Sequence, residues 1–364
     1  MWRSILILAA AILGGCAVYL TAAVSRFGLI RNVRSGEGRI ALSFGIVAAL
    51  FGAFAVFMTP VDAFVIALHA VIFFLLFGAV FRLIAAVRKK NFRVNWPGWL
   101  AVVTTAVVLS AAYVLCHHVW LTEYSLTTAK DIPPLRVALI ADSHIGTTFD
   151  GDGFAAHIDE IERQSPDLVL VAGDFVDDSS KRADMEKACR ALGGMNARLG
   201  VWFAYGNHDK GYSGSGRDFD AADLAWELEH SGIHVLEDES VLIGNLCIVG
   251  RKDASTARRM ELSDLLADVD PENYIIVIDH EPSDYEKECL TEADLVVSGH
   301  THGAQLFPLK YIGEGFGIND RSYGYERRNG TDFIVTSGIS CWAMDFKTGT
   351  KSEYVIITVE READ

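Results

Sequence analysis

The chain has 364 residues, 51% of them hydrophobic, and a formal net charge of −15. That length is more than one average domain needs. The charge is divided sharply: residues 1–130 hold 11 Lys and Arg against 3 Asp and Glu, which leaves the remainder at −23. So acidic a second half repels polyanions at long range, which counts against a nucleic-acid partner.

Four apolar stretches come first, Trp2–Val24, Ile40–Met58, Ala63–Val87 and Trp99–Leu121, each 19 to 25 residues long. As helices they are long enough for a hydrocarbon core of roughly 30 Å. Being apolar all round, they predict a four-helix transmembrane domain over residues 1–124, with the lipid bilayer as its partner. The first connector carries Arg26, Arg31, Arg34 and Arg39, and the third Arg88, Lys89, Lys90 and Arg93. The second, around Thr59-Pro60-Val61-Asp62, has no basic residue. Basic connectors stay cytoplasmic, so the chain is expected to be a multi-pass membrane protein with everything after Leu121 outside. Leu13-Gly14-Gly15-Cys16 resembles a lipobox, but the apolar run continues past Cys16 to Val24, as a spanning helix does.

Residues 125–134 read as a linker ending in Pro133-Pro134, which cannot continue a helix. From residue 135 to 364 short apolar, β-branched runs alternate with amphipathic stretches. Strands are expected at 136–141, 168–172 and 201–205, with helices at about 153–164, 181–196 and 221–230. A strand at 233–236, a hairpin through 242–250 and strands near 333–336 and 354–359 follow. The pattern predicts an α/β domain, a sandwich of two sheets flanked by helices.

Five of the buried runs end in polar clusters. Val137-Ala138-Leu139-Ile140 leads to Asp142-Ser143-His144, and Leu168-Val169-Leu170-Val171 to Gly173-Asp174-Phe175-Val176-Asp177. Val201-Trp202-Phe203-Ala204 leads to Gly206-Asn207-His208-Asp209, Ile275-Ile276-Val277-Ile278 to Asp279-His280, and Leu295-Val296-Val297-Ser298 to Gly299-His300-Thr301-His302. The carboxyl ends of such strands are where α/β sheets present ligands. A mixed Asp, His and Asn set suits Mn²⁺, Fe²⁺, Zn²⁺ or Co²⁺. In this order the five clusters resemble the calcineurin-like metallophosphoesterases, whose signature is D-x-H, G-D-x-x-D, G-N-H-[DE], a lone His and G-H-x-H; the resemblance runs from about Leu135 to the end.

The resemblance implies two divalent metal ions, one on Asp142, His144, Asp174 and His302, the other on Asp174, Asn207, His280 and His300. Asp174 would bridge them, since a carboxylate offers oxygens to two cations roughly 3.5–4 Å apart. A phosphate ester would be hydrolysed by attack of a metal-bridging hydroxide. His208 would protonate the leaving oxygen, Asp209 would orient its ring, and Asp177 would stand behind the ligands. The Gly299–Gln305 run and Ser337-Gly338-Ile339 are similar to the membrane-associated bacterial branch. Its relatives that cleave UDP-diacylglucosamine commonly carry Arg where this chain has His208.

Beyond the signature, Arg251 is a candidate contact for a substrate phosphate or polar head, and Asp279 reads as a solvent-facing turn residue. The six cysteines have no metal-ligand spacing and suggest no pairing. The expected function is a membrane-anchored phosphoesterase acting on a lipid-linked or envelope phosphomonoester or diester. A UDP-sugar-lipid pyrophosphatase on the cytoplasmic side, or a phosphate-binding membrane sensor without catalysis, are the alternatives.

Overall fold

A computed structural model describes residues 2–89, 92, 94–211, 216–256 and 258–362; Lys90 and Arg93 of the third connector lie outside the described residues. The chain divides into two units, Met1–Ala112 and Tyr113–Asp364.

The first unit is helical. Helices α1 (Trp2–Val24), α3 (Gly36–Phe57), α4 (Pro60–Arg88) and α5 (Trp96–His117) lie on the four apolar stretches, the fourth only as far as His117, and a single turn, α2 (Gly28–Arg31), follows the first. Three of them, α3, α4 and α5, are long and apolar enough to cross a membrane; α1 adds the shorter apolar stretch Ala10–Val24. The Thr59 side chain accepts from the Asp62 backbone and the Asp62 carboxylate from the Thr59 backbone, a capping box that starts α4 at Pro60. Leu20, Ala23, Phe74 and Ala101 form a small buried cluster between helices.

The second unit is the two-sheet sandwich. Its strands are β1 (Val119–Thr128), β2 (Leu135–Ile140), β3 (Leu168–Ala172), β4 (Val201–Ala204), β5 (His234–Leu236), β6 (Glu239–Ile243) and β7 (Leu246–Gly250), then β8 (Tyr274–Ile278), β9 (Leu295–Ser298), β10 (Gly324–Arg328), β11 (Thr331–Val335) and β12 (Ser352–Arg361). One sheet runs β1-β12-β2-β3-β4-β5 and the other β10-β11-β9-β8-β7-β6. Helices α6 (Gly151–Glu162), α7 (Arg182–Gly193) and α8 (Ala221–His230) connect the parallel strands β2 to β5. The short helices α9 (Leu262–Leu265), α10 (Tyr285–Glu288) and α11 (Leu309–Gly315) belong to the connections around the second sheet.

The period-2 geometry of a strand explains why the central runs are apolar without alternation. Val137, Leu139, Leu168 and Leu170 face inward against Ile276, Ile278, Val297 and Ile334 of the other sheet. Their neighbours Ala138, Ile140, Val169 and Val171 point outward and are covered by Phe154, Ile158, Met185 and Leu224 of the helices. Both faces are buried, so both parities must be apolar.

The linker expected at 125–134 begins inside a strand. One residue, His118, separates α5 from β1, and β1 pairs in parallel with β12 over ten positions, Val119 opposite Ser352 through Thr128 opposite Arg361. Only residues 129–134 connect β1 to β2. The fourth apolar run was therefore two elements read as one. Its tail, Val119-Trp120-Leu121, is apolar because it is an extended segment of the second unit.

Cys116 in the last turn of α5 is bonded to Cys341, 225 positions later, across a Cα–Cα distance of 6.2 Å. That separation is within the range for a disulfide, and no sequence spacing could have announced it. Cys16, Cys189, Cys247 and Cys289 are unpaired and buried. Purified without reductant and then denatured, the full chain should take up maleimide at four of its six cysteines, and at all six only after reduction. Cys116→Ser should destabilise the second unit by about 2–5 kcal/mol, read as a lower denaturation midpoint.

Candidate metal centre

The loops after β2, β3, β4, β8 and β9 bring the expected ligands to one edge of the sandwich. Two groups form. Asp142, His144 and His302 offer ligand atoms that all lie within 4.8 Å of one another, and so do Asp174, His280 and His300. Asp174 touches both: its Oδ2 is 3.7 Å from His144 Nε2 and 3.2 Å from His280 Nε2. Asn207 completes the second group, its Oδ1 2.9 Å from His300 Nδ1 and 3.2 Å from His280 Nε2.

These contacts are mostly between acceptors. His280 Nδ1 lies 2.7 Å from the Ala172 carbonyl, which can only accept, so Nδ1 carries a proton and Nε2 is the atom aimed at Asp174, Asn207 and His300. His144 Nε2 and His302 Nε2 face each other at 3.1 Å. Asp142 Oδ2 and His302 Nδ1 are buried without a hydrogen-bond partner among the described residues. Lone pairs converging at this spacing in a buried site need a cation between them. Burial opposes protonation of His280, yet the Asp174 and Asp142 carboxylates hold its ring well above the usual imidazole range, so a metal ion there would take the place of a proton. Burial pushes His302 well below that range, with His144 adding to it, and burial together with His280 brings His300 down to about 4. Neutral rings are the form that binds metal. The residues thus fit two divalent ions of the borderline class.

The backbone is bent to make this possible. Asp142, His144, Asp174, His300 and His302 all have φ between 38° and 67°, a left-handed conformation uncommon outside glycine and concentrated at functional sites. The Asp209 carboxylate steadies it by accepting from four backbone N–H groups, those of Asp174, Phe175, Val176 and Gly206. Gly173, at φ 72°, and Gly206 are forced by close approach: a Cβ on Gly206 would collide with Asp174 Oδ1 and crowd His280.

Asp209 therefore does not orient His208, as the sequence pattern suggested. That contact goes to Asp177, whose Oδ1 is 3.2 Å from His208 Nδ1 and whose Oδ2 is 3.4 Å from His144 Nδ1. Two residues farther along its loop than Phe175, Asp177 reaches over the edge of the site, while Asp209 points back into the loops. Burial disfavours a charge on His208, but the hydrogen bond to Asp177 and the charge of Asp174 outweigh it, so the ring holds a proton to higher pH than usual. Its backbone N–H donates to Asp174 Oδ1 at 2.8 Å, and its ring packs 5.6 Å from that of Trp342.

Arg251 and Asp279 also depart from expectation. Arg251 is only 2% exposed. Its guanidinium donates to Asp279 at 2.8 Å, Glu288 at 3.0 Å and Asp284 at 3.1 Å, and these partners engage the donors that a phosphate contact would need. Asp279 is fully buried, paired with Arg251 and Arg259, rather than facing solvent. Sequence reasoning had no signal for Lys347. It is fully buried, donates to the Ser337 carbonyl at 2.6 Å and is brought down to about 7 by burial.

With the geometry in place, the family follows from comparison. The family described as calcineurin-like phosphoesterase matches residues 135–304. The chain carries a calcineurin-like metallophosphoesterase domain. An uncharacterized metallophosphoesterase of Aquifex aeolicus is 28% identical over 266 residues, covering 70% of this chain and 97% of that protein. One from Campylobacter jejuni is 27% identical over 62% of this chain, and a transmembrane protein with metallophosphoesterase domain from Danio rerio is 29% identical, also over 62%. The matches span 59% and 53% of those two relatives' own lengths. Among solved structures, the purple acid phosphatase PPD1 of yellow lupin aligns with 15% identity, a TM-score of 0.33, and coverage of 64% of this chain and 56% of its own.

Asp209→Ala would leave four buried N–H groups without their acceptor, at about 1–3 kcal/mol each, so it should destabilise the second unit by more than about 3 kcal/mol in chemical denaturation. Gly206→Ala should lower bound metal, measured by elemental analysis of the dialysed full chain, by about 10-fold or more, the scale seen when the support of a ligand is disturbed.

Proposed function

We propose that the protein is a membrane-anchored phosphoesterase that hydrolyses a lipid-linked or envelope phosphate ester on the outer side of a bacterial cell membrane, using two divalent ions. The observation that carries this reading is the convergence of acceptor atoms on two adjacent points that share Asp174. Asp142, His144, Asp174 and His302 would hold one ion, and Asp174, Asn207, His280 and His300 the other. When bound, the ions supply Lewis acidity toward the phosphate and an acidified water.

His208 lies outside both sets. With Nδ1 held on Asp177, the ring would pass a proton to the leaving oxygen from its other nitrogen, and a pure binding site has no use for such an acid. That favours an enzyme over a sensor. The outer location draws support from the Arg-rich connectors, which belong in the cytoplasm, and from the Cys116–Cys341 disulfide, which belongs to an oxidising compartment. Both count against the cytoplasmic pyrophosphatase alternative.

The test is hydrolysis of bis-p-nitrophenyl phosphate and p-nitrophenyl phosphate by the full chain in nanodiscs, scanned over Mn²⁺, Zn²⁺, Mg²⁺ and EDTA. Turnover should depend on metal and vanish with EDTA and in Asp174→Ala; a metal-loaded, folded chain that cleaves neither ester would overturn the reading in favour of a sensor. His208→Ala should lower kcat by about 10²–10⁴ with metal content retained. Activity should fall as pH rises through the His208 pKa, because the acid must be protonated. Asp177→Asn removes the anion that raises that pKa, so this alkaline limb should move to lower pH.

A further inference from the structure

The segment after the last ligand cluster leaves an unusual surface. Phe307, Leu309, Tyr311, Ile312, Phe316 and Ile318 are between 44% and 81% exposed, and α11 has no buried residue. Six large apolar side chains within twelve residues make a patch that a soluble face rarely leaves open. The patch is also nearly free of charge within a unit that is strongly acidic. Residues 306–318 contain one cation, Lys310, and one anion, Glu314, and the Glu314 carboxylate is turned onto its own chain, accepting from the Ser322 backbone at 2.8 Å.

Its attachments run toward the point where the membrane helix enters the unit. The Phe307 backbone donates to Thr348 Oγ1 at 2.9 Å. Gln305 Oε1 accepts from the Trp342 backbone at 2.8 Å, and Gln305 Nε2 donates back to the Trp342 carbonyl at 3.1 Å. Trp342 follows Cys341, which is bonded to Cys116 in the last turn of α5. Ser352, in the same stretch, donates to the Cys116 carbonyl at 2.6 Å, and His117 lies 3.6 Å from Asp345. The loop that carries the apolar patch and the exit of α5 are thus fastened to the same few residues. Around them Trp120 and Trp342 are partly exposed and Lys310 extends over the Tyr323 ring. Tryptophan, tyrosine and lysine with apolar neighbours are the mixture found at the boundary between hydrocarbon and water.

We infer that the Phe307–Ile318 segment is a foot that seats on the surface of the bilayer crossed by the chain's own helices, inserting its apolar side chains among the lipids. The inference rests on the membrane-anchored reading and deepens it. The segment begins five residues after His302, so an ester held at the metal centre would be met beside the lipid surface. An acidic unit gains little attraction to an anionic lipid face; an apolar, nearly uncharged foot is the contact left to it.

The test places a nitroxide at Phe316→Cys, and separately at Ile312→Cys, in the full chain reconstituted in phosphatidylcholine–phosphatidylglycerol vesicles. A third label at Glu229→Cys, on the exposed face of α8, serves as the water-facing reference. Dissolved oxygen should relax the labels at 316 and 312 several-fold more strongly than a water-soluble nickel chelate, with the order reversed at 229. Stronger relaxation by nickel at both positions would overturn the foot. So would spin–spin broadening that disappears on dilution with unlabelled chain, which would assign the patch to a second copy. No turnover enters the readout, and flotation of the full chain with the vesicles reports the anchor separately, so failure of the foot is distinguishable from failure of the phosphoesterase reading.

Discussion

The carboxylate of Asp209, buried among four backbone N–H groups, is the interaction on which the site depends. It gathers the amides of Asp174, Phe175, Val176 and Gly206 around one anion, and so fixes the loop after β3 against the loop after β4. Asp174 can then stand in the left-handed region with one oxygen on the His208 amide and the other toward His144 and His280. Burial, reinforced by Asp174, raises Asp209 to about 6, while the amides of Gly206 and Val176 work in the opposite direction. Near neutral pH it remains an anion, and the loops keep their hub. Strain at five candidate ligand positions persists because this hub and the sheets behind it over-determine the geometry.

Much of this was legible in the residues because the physics acts locally. A strand buried on both faces must be apolar at both parities, so β2, β3, β4, β8 and β9 stand out as uninterrupted runs. The polar residues just beyond each are then conspicuous as strand-end groups. What escaped depends on distance in space without proximity in sequence. Asp177 and Asp209 are both acids near the end of a signature segment, and only the path of the loops decides that Asp177 meets His208. Arg251 reads as a free cation after a strand because Asp284 and Glu288, which enclose it, come more than thirty residues later. β1 was hidden by its own composition: an apolar start read as helix, and a polar remainder read as linker. Its partner β12 lies at the far end of the chain.

The sequence divides its charge between the two units. Basic residues sit between the long apolar helices, while acidic residues accumulate in the second unit. The apolar foot is the exception to that division. It occupies an acidic unit yet has the composition of an interfacial element. Burial on folding cannot account for its side chains, since they are exposed in the folded unit; only something outside the unit can.

The pairing of β1 with β12 has a consequence for dissecting the protein. Composition invites a cut near residue 125, where the apolar region appears to end. Such a cut would remove Val119–Tyr124, six of the ten residues that pair with β12, together with Cys116. β12 would become a half-open edge of the first sheet, offering unpaired amides and carbonyls to any other strand. A fragment made that way would fail by aggregation even though every candidate metal ligand was present. The smallest piece of this chain with the first sheet intact starts inside the last turn of α5.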